Sequence, residues 1–511
     1  MEMVYGVKDR PKTGRLLLFS LQQLLAILAA TITVPFIIGN GMSHSAALFG
    51  AGVGTIVYLL FTRFKSPVFV SSSFAFLGSM TSAFAGGVSM SLGYLGLIIG
   101  ATFAGLVYVI IAIIVKFVGS GWIDKIMPAV VIGPTVAIIG LSLSGSAINW
   151  LTLGDFTKTG SAYTSIVCGL VTLAVTIVCS VYGKKLLKMI PFIIGILAGY
   201  LLAAIFTAFS YIDGAPEALR VIDFTTFNAL KDASAWYPNF TFLTAFKGGY
   251  DAGEVGSVGA YIGTIAIAYI PVAFVVLAEH IADHKNISSI IESDLLKDPG
   301  LHRTLLGDGV GSIVGAFFGG CPNTTYGESV GCVAISRNAS ILTILVTAIM
   351  AIVASFIAPF VLFLGSIPKG VMGGVCIALY GFIAVSGLKM IQKVDLGDSR
   401  NLFTVSVILI AGVGGLSLTF GKVVITPVAC SLILGILTNV LVNIKSKKAD
   451  AGDSLAQAAS AGVDVPTAEA TENADSFNSY ASASAPTDAA GESVKPDSDA
   501  AQAEPDNKEN K

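Results

Sequence analysis

The chain has 511 residues, of which 54% are hydrophobic and 12% charged, with a mean hydropathy of +0.80, a composition that excludes an ordinary soluble domain and points to a polytopic membrane protein. Its formal net charge of -2 is segregated by region and gives no basic face for nucleic acid. Cys168, Cys179, Cys321, Cys332, Cys376 and Cys430 lie in or beside apolar segments without CxxC spacing, which argues against a disulfide framework or a zinc site and leaves them as small hydrophobes.

In chain order, residues 1–15 form a charged N-terminus, and the first apolar block is too long for a signal-peptide core, so it is expected to remain as a span. Apolar blocks of roughly 18–25 residues, the length of a bilayer-spanning helix, then recur. Fourteen are expected, near 16–38, 44–62, 67–85, 92–118, 121–145, 162–182, 187–211, 261–283, 303–320, 322–336, 340–367, 369–388, 401–419 and 422–444. Arg63, Lys65, Lys188, Arg303, Arg337, Lys389 and Arg400 fall in loops on the N-terminal side of this alternation, which is therefore expected to be cytoplasmic. The chain thus divides into a first seven-segment repeat (16–211), an extracellular loop (212–260), a second repeat (261–445) and a tail (446–511). The tail is Ala, Ser, Asp, Glu and Pro with few apolar residues, and is expected to be disordered and cytoplasmic.

Polar residues inside the blocks carry the functional signal. Block one holds Gln22 and Gln23; block three begins "SPVFVSSSFAFLGS" (66–79), with Pro67, a run that favours extended structure, then Gly78. Block eight holds Glu279 and His280 in "VVLAEHIADH". An ionisable residue at membrane depth is costly and usually faces a cavity, so Glu279 is a functional candidate. His280 fits a structural hydrogen bond or a functional role equally well. Asp283, one turn on, and His284 fit either the wet end of the helix or a proton path. The third block of the second half starts "CPNTTYGESVG" (321–331) and repeats the pattern of block three, with Pro322, Gly327 and the acid Glu328.

Seven is odd, so the second set of segments must sit inverted relative to the first, an arrangement that places substrate where paired discontinuous helices meet. Extended backbone survives in hydrocarbon only if it pairs or lines a cavity; the two broken blocks are expected to run side by side, each aiming half-helix N–H groups at the cavity. The expected fold is all-α with short crossed strands in segments 3 and 10.

Over roughly residues 5–445 the chain resembles the nucleobase–ascorbate transporter family, uracil permease branch, in "SLQQLLA", "SSSFAF", "AEHIADH", "DLLKDPGLHR", "PNTTYGESVG" and "MGGVCIALYG". The family signature falls on Glu328, Ser329, Gly331 and the pair Ser336-Arg337, with Ser329 in place of the usual Asn and Gln23 in place of the usual His. The resemblance implies a core domain of spans 1–4 and 8–11 and a gate domain of spans 5–7 and 12–14. It further implies that a base contacts Glu279 and the N–H groups near Phe74 and Gly327, steadied by Glu328, with Phe74 and Tyr326 packing nearby.

The function implied is proton-coupled uptake of uracil, with Glu279, Asp283 and His280 as proton-coupling candidates. No cofactor and no metal are expected, and lipid surrounds the chain, for which a homodimer is one open assembly. Xanthine or other purine transport, sodium coupling and a same-fold anion transporter are the alternatives. No metal constellation or nucleophile–base pair suggests an enzyme.

Overall fold

In hydrocarbon every backbone N–H and C=O must be satisfied within the protein, and helices do this locally. The computed structural model describes residues 3–153, 161–184, 186–420 and 423–460, and it is almost wholly helical. α1 (Thr13–Ile38) turns at Gly39 and Gly41, both at positive φ, into α2 (His44–Phe61), which Ser43 caps by accepting the Ala46 N–H. β1 (Val70–Ser72) leads into the six-residue α3 (Leu77–Ser82) and then α4 (Met90–Val118). α5 (Gly121–Ile126) ends before Pro128, and α6 (Ala129–Ser142), α7 (Ser144–Leu153), α8 (Ser161–Tyr182), α9 (Leu186–Met189) and α10 (Pro191–Phe209) follow. The stretch 212–260 holds short 3-10 turns and α11 (Thr241–Ala245). The second half runs α12 (Val258–Ile291), α13 (Leu301–Gly319), β2 (Asn323–Thr325), α14 (Gly327–Ser336), α15 (Ile341–Ala354), α16 (Ala358–Gly365), α17 (Lys369–Ile391) and α18 (Ser399–Val413). A hairpin of β3 (Leu418–Phe420) and β4 (Val423–Ile425) precedes α19 (Pro427–Ser460).

Among the described residues nine helices are long and apolar enough to cross a membrane, and the bent pair α15 and α16 makes a tenth. That pair, read in the sequence as one block at 340–367, turns by 84° at a break before Pro359. The other four expected blocks are not long apolar helices. Those at 67–85 and 322–336 are each a strand followed by a short helix; α13 carries Asp308 among its glycines; α18 has only 15 residues. α12 continues to Ile291, so Asp283 and His284 are buried inside a helix rather than at a wet end. α19 continues to Ser460, while residues 461–511 of the expected tail lie outside the described residues.

The helices sort into two packed groups. α1, α2, α12 and α13 pack against the strands, with α4 and α15 against those helices, whereas α6, α7, α8, α10, α17 and α18 pack on one another. β1 and β2 pair antiparallel, Val70 opposite Thr325 and Ser72 opposite Asn323, and the Ser73 N–H to Pro322 O bond (2.9 Å) extends the ladder. Side chains satisfy backbone groups the ladder leaves over: Thr55 Oγ1 donates to Val70 O at 2.9 Å, Tyr326 Oη to Ser72 O at 2.6 Å, and Ser312 Oγ to Asn323 O. Extended backbone inside the helix packing is thus bonded by side chains as well as by the ladder. The strands fit because α2 and α13 carry glycine where they meet them. A Cβ at Gly54 or Gly315 would overlap the Asn323 side chain, whose Nδ2 donates to Gly50 O at 3.0 Å.

Candidate functional site

Glu279 and Asp283 lie four residues apart on α12 and so share one face of it. β2 ends at Thr325; Tyr326, still extended, caps α14, which Gly327 begins, so that Glu328 sits in its first turn. The first N–H groups of a helix have no intrahelical acceptor and carry partial positive charge. At α14 the Val330 N–H turns back to Tyr326 O (3.1 Å), which leaves those of the preceding residues for other partners.

These residues converge on one cavity of about 430 Å3 between the two helix groups. Glu279, Asp283, Phe74, Tyr326, Gly327 and Glu328 line it from the strand-bearing group. Val136, Phe192, Phe382 and Ile383 line it from the other, and exposed Lys188 and Lys389 stand at its rim. Glu279 and Glu328 are half-buried, whereas Asp283 is buried and accepts from Thr325 Oγ1 at 3.0 Å. Phe74 stands edge-on to Tyr380, ring centroids 5.7 Å apart. The arrangement offers carboxyl oxygens to ring N–H groups, helix N–H groups to carbonyls, and apolar walls to a flat ring.

His280 does not line this cavity. It points into the helix packing, fully buried, with Nδ1 2.7 Å from Asp308 Oδ2 and Nε2 3.0 Å from Thr304 Oγ1. The Thr304 hydroxyl also lies 3.0 Å from Leu301 O, and Nδ1 and the Asp308 carboxyl share a proton between them. His284 stacks on His280 with centroids 4.0 Å apart; its Nδ1 donates to His280 O (2.8 Å) and its Nε2 meets the Tyr58 hydroxyl (2.8 Å). Sequence reasoning passed over Asp308, although an acid inside an apolar block is the same signal that picked out Glu279. Among the described residues no group of three or more His, Cys, Asp or Glu is placed to hold a metal ion, and the six cysteines are free.

Residues 14–421 match the model of a family described as the Permease family. The uracil permease of Bacillus caldolyticus is 38% identical over 442 residues, 86% of this chain and 94% of that protein. The uracil permease of Bacillus subtilis (strain 168) is 37% identical over 457 residues, 88% and 97% of the two chains. Among solved structures, the transmembrane domain of a cyanobacterium bicarbonate transporter BicA aligns with a TM-score of 0.52 at 14% identity, covering 84% of this chain and 98% of that one. The murine Solute Carrier 26 family member A9 anion transporter in its inward-facing state aligns with a TM-score of 0.55 at 12% identity, covering 86% and 69%. At such identities the likeness is one of fold alone.

Proposed function

From the premise that the chain belongs to the Permease family, the nucleobase–ascorbate transporters, and is a multi-pass membrane transporter rather than an enzyme, we propose that it carries uracil into the cell with a proton. The observation that carries this reading is the convergence of Glu279, Glu328 and the start of α14 on one cavity between two helix groups. Uracil presents alternating N–H donors and carbonyl acceptors around a flat ring. Carboxyls suit the first and helix N–H groups the second. The relatives named uracil permease support the same substrate.

The site residues we assign are Glu279, Glu328, Gly327, Phe74 and Tyr326 for substrate, and Glu279 with Asp283 for the proton. One uracil edge sets a donor beside an acceptor. An ionised carboxylate satisfies only the donor, whereas a protonated carboxyl satisfies both. Proton and base then favour one another's binding, which is reciprocal linkage and sufficient for coupling. His280, held by Asp308 and Thr304 away from the cavity, supports the arrangement of α12 against α13. Two inverted repeats of seven segments, with cytoplasmic termini, are the topology this reading uses; the strand-bearing helices act as the core that rocks against the other group.

An anion is the second reading, because both similar folds cited above belong to proteins titled as bicarbonate or anion transporters. Three carboxyl side chains in the cavity speak against it. Uptake of labelled uracil in cells lacking their own permeases, competed with xanthine, guanine and thymine, tests the proposal. Uracil uptake that only unlabelled pyrimidines suppress is expected; no uptake above the host background would refute it.

A further inference from the structure

Gln23 on α1 and Ser329 in the first turn of α14 are both buried and bonded to each other. Gln23 Nε2 donates to Ser329 Oγ at 2.6 Å and lies 3.4 Å from Ser329 O. The same hydroxyl oxygen accepts the Phe69 N–H at 3.0 Å, and Phe69 O in turn accepts the Tyr326 N–H at 3.3 Å. One hydroxyl therefore ties together α1, the residue that leads into β1, and the turn that presents Glu328. Neither Gln23 nor Ser329 lines the cavity, yet Ala26, one helical turn from Gln23, and Glu328, next to Ser329, both do.

The bond has a geometric consequence. α14 has only 10 residues, and its first turn is where Gly327 and Glu328 face the cavity. A short helix is oriented by what grips its ends, and at the cavity end the Ser329 hydroxyl adds a tie to α1 that the Tyr326 bonds to Phe69 O and Ser72 O do not make. Ser329 and Gln23 are also the two positions at which this chain departs from the residues usual in the family it resembles, and they prove to be two halves of one contact.

We infer that Gln23 and Ser329 act as a single positioning unit, which sets the direction of the Glu328 carboxyl and of the α14 N–H groups and so tunes substrate affinity without touching the substrate. The inference deepens the proposed uracil transport and rests on it. Removing Ser329 strands the Gln23 amide and the Phe69 N–H, and removing Gln23 takes one of two donors from the Ser329 hydroxyl, so the two changes act on one contact and should not add.

The test is a double-mutant cycle read as KM and maximal rate of uracil uptake, normalised to the amount of protein in the membrane. Gln23→Ala and Ser329→Ala should each raise KM by about tenfold with the maximal rate within about twofold, and the double variant should be no worse than the weaker single. Ser329→Thr keeps the hydroxyl and should stay within about threefold of the parent. The paired change Gln23→His with Ser329→Asn should recover most of what either change loses alone. Losses that multiply in the double variant, a paired change no better than its singles, or an effect confined to membrane amount would overturn the inference. If an alanine variant fails to reach the membrane, Ser329→Thr and the paired change decide alone, and a raised KM in both refutes the unit. A parent that moves no uracil refutes the substrate, whereas a transporting parent with independent singles refutes only the pair.

Discussion

The two walls of the cavity are made of different matter. On the strand-bearing side stand Glu279, Asp283, Glu328 and the start of α14, backed by buried polar contacts among Gln23, Ser329, His280, Asp308 and Asn323. On the opposite side Val136, Phe192, Phe382 and Ile383 present carbon, and the polar groups there, Ser180, Ser386, Lys188 and Lys389, include no carboxyl. A substrate gripped by hydrogen bonds on one wall and by apolar contact on the other can travel with the first while the second slides past. Dispersion and apolar burial depend weakly on direction, so a sliding apolar wall has no hydrogen bonds to break and remake. In the proposed cycle, the asymmetry between the walls would let the carboxyl-bearing group carry the base while the other slides past it.

The largest expected effect removes the polar wall's exchangeable proton. Glu279→Gln, locked neutral, should lose proton-driven accumulation in proteoliposomes by more than about a hundredfold, equivalent to about 2.7 kcal/mol, even where exchange of bound uracil survives. The parent should bind uracil more tightly as pH falls through the range where Glu279 takes its proton, and the Gln variant should be flat there. Accumulation that follows a sodium gradient at constant pH would remove the proton from the account. Next in size, Glu328→Gln exchanges one acceptor oxygen for a donor and should weaken uracil affinity by roughly ten- to a hundredfold, the cost of about 1–3 kcal/mol for a buried group left unsatisfied. Parental uptake at equal expression would exclude Glu328 from the site.

Across the cavity the expectation reverses. Phe382→Leu removes no hydrogen bond, and a near-volume-conserving apolar swap costs under about 1.5 kcal/mol, so uracil KM should shift by less than about tenfold. A loss as large as that of Glu328→Gln would show that both walls read the base and would break the comparison. The smallest effect belongs to a change that touches neither wall. Truncation after Lys448 should leave uptake within about twofold of the full chain, because a segment of this composition buries little apolar surface. Cleavage of the tail by external protease in intact cells would invert the topology assumed here.

The polar wall was legible in the sequence because a carboxyl inside an apolar run is costly and so rarely idle. That rule singled out Glu279 and Glu328, and the proline-to-glycine pattern around residues 67–78 and 322–327 marked the two breaks in helix where β1 and β2 form. Asp308 lies in the block at 303–320, where the glycines around it dilute the apolar run against which a lone acid stands out. The apolar wall was illegible in principle: Phe382 and Val136 are hydrophobic residues among hydrophobic residues, and only packing distinguishes a cavity wall from a lipid-facing stripe. The bend between α15 and α16 escaped for a related reason, since the apolar run continues across it while the backbone does not.

Pairing β1 with β2 also has a consequence for how the protein is made. Val70 and Thr325 are separated by half the chain, so the ribosome delivers β1 to the membrane long before its partner exists. Until then Thr55 can bond Val70, but Ser72 O and the Ser73 N–H lack the partners that Tyr326 and Pro322 supply, and in lipid each such group costs several kcal/mol. A first half made alone would have to shelter that segment, and the proposed substrate site would form only once both halves are in place.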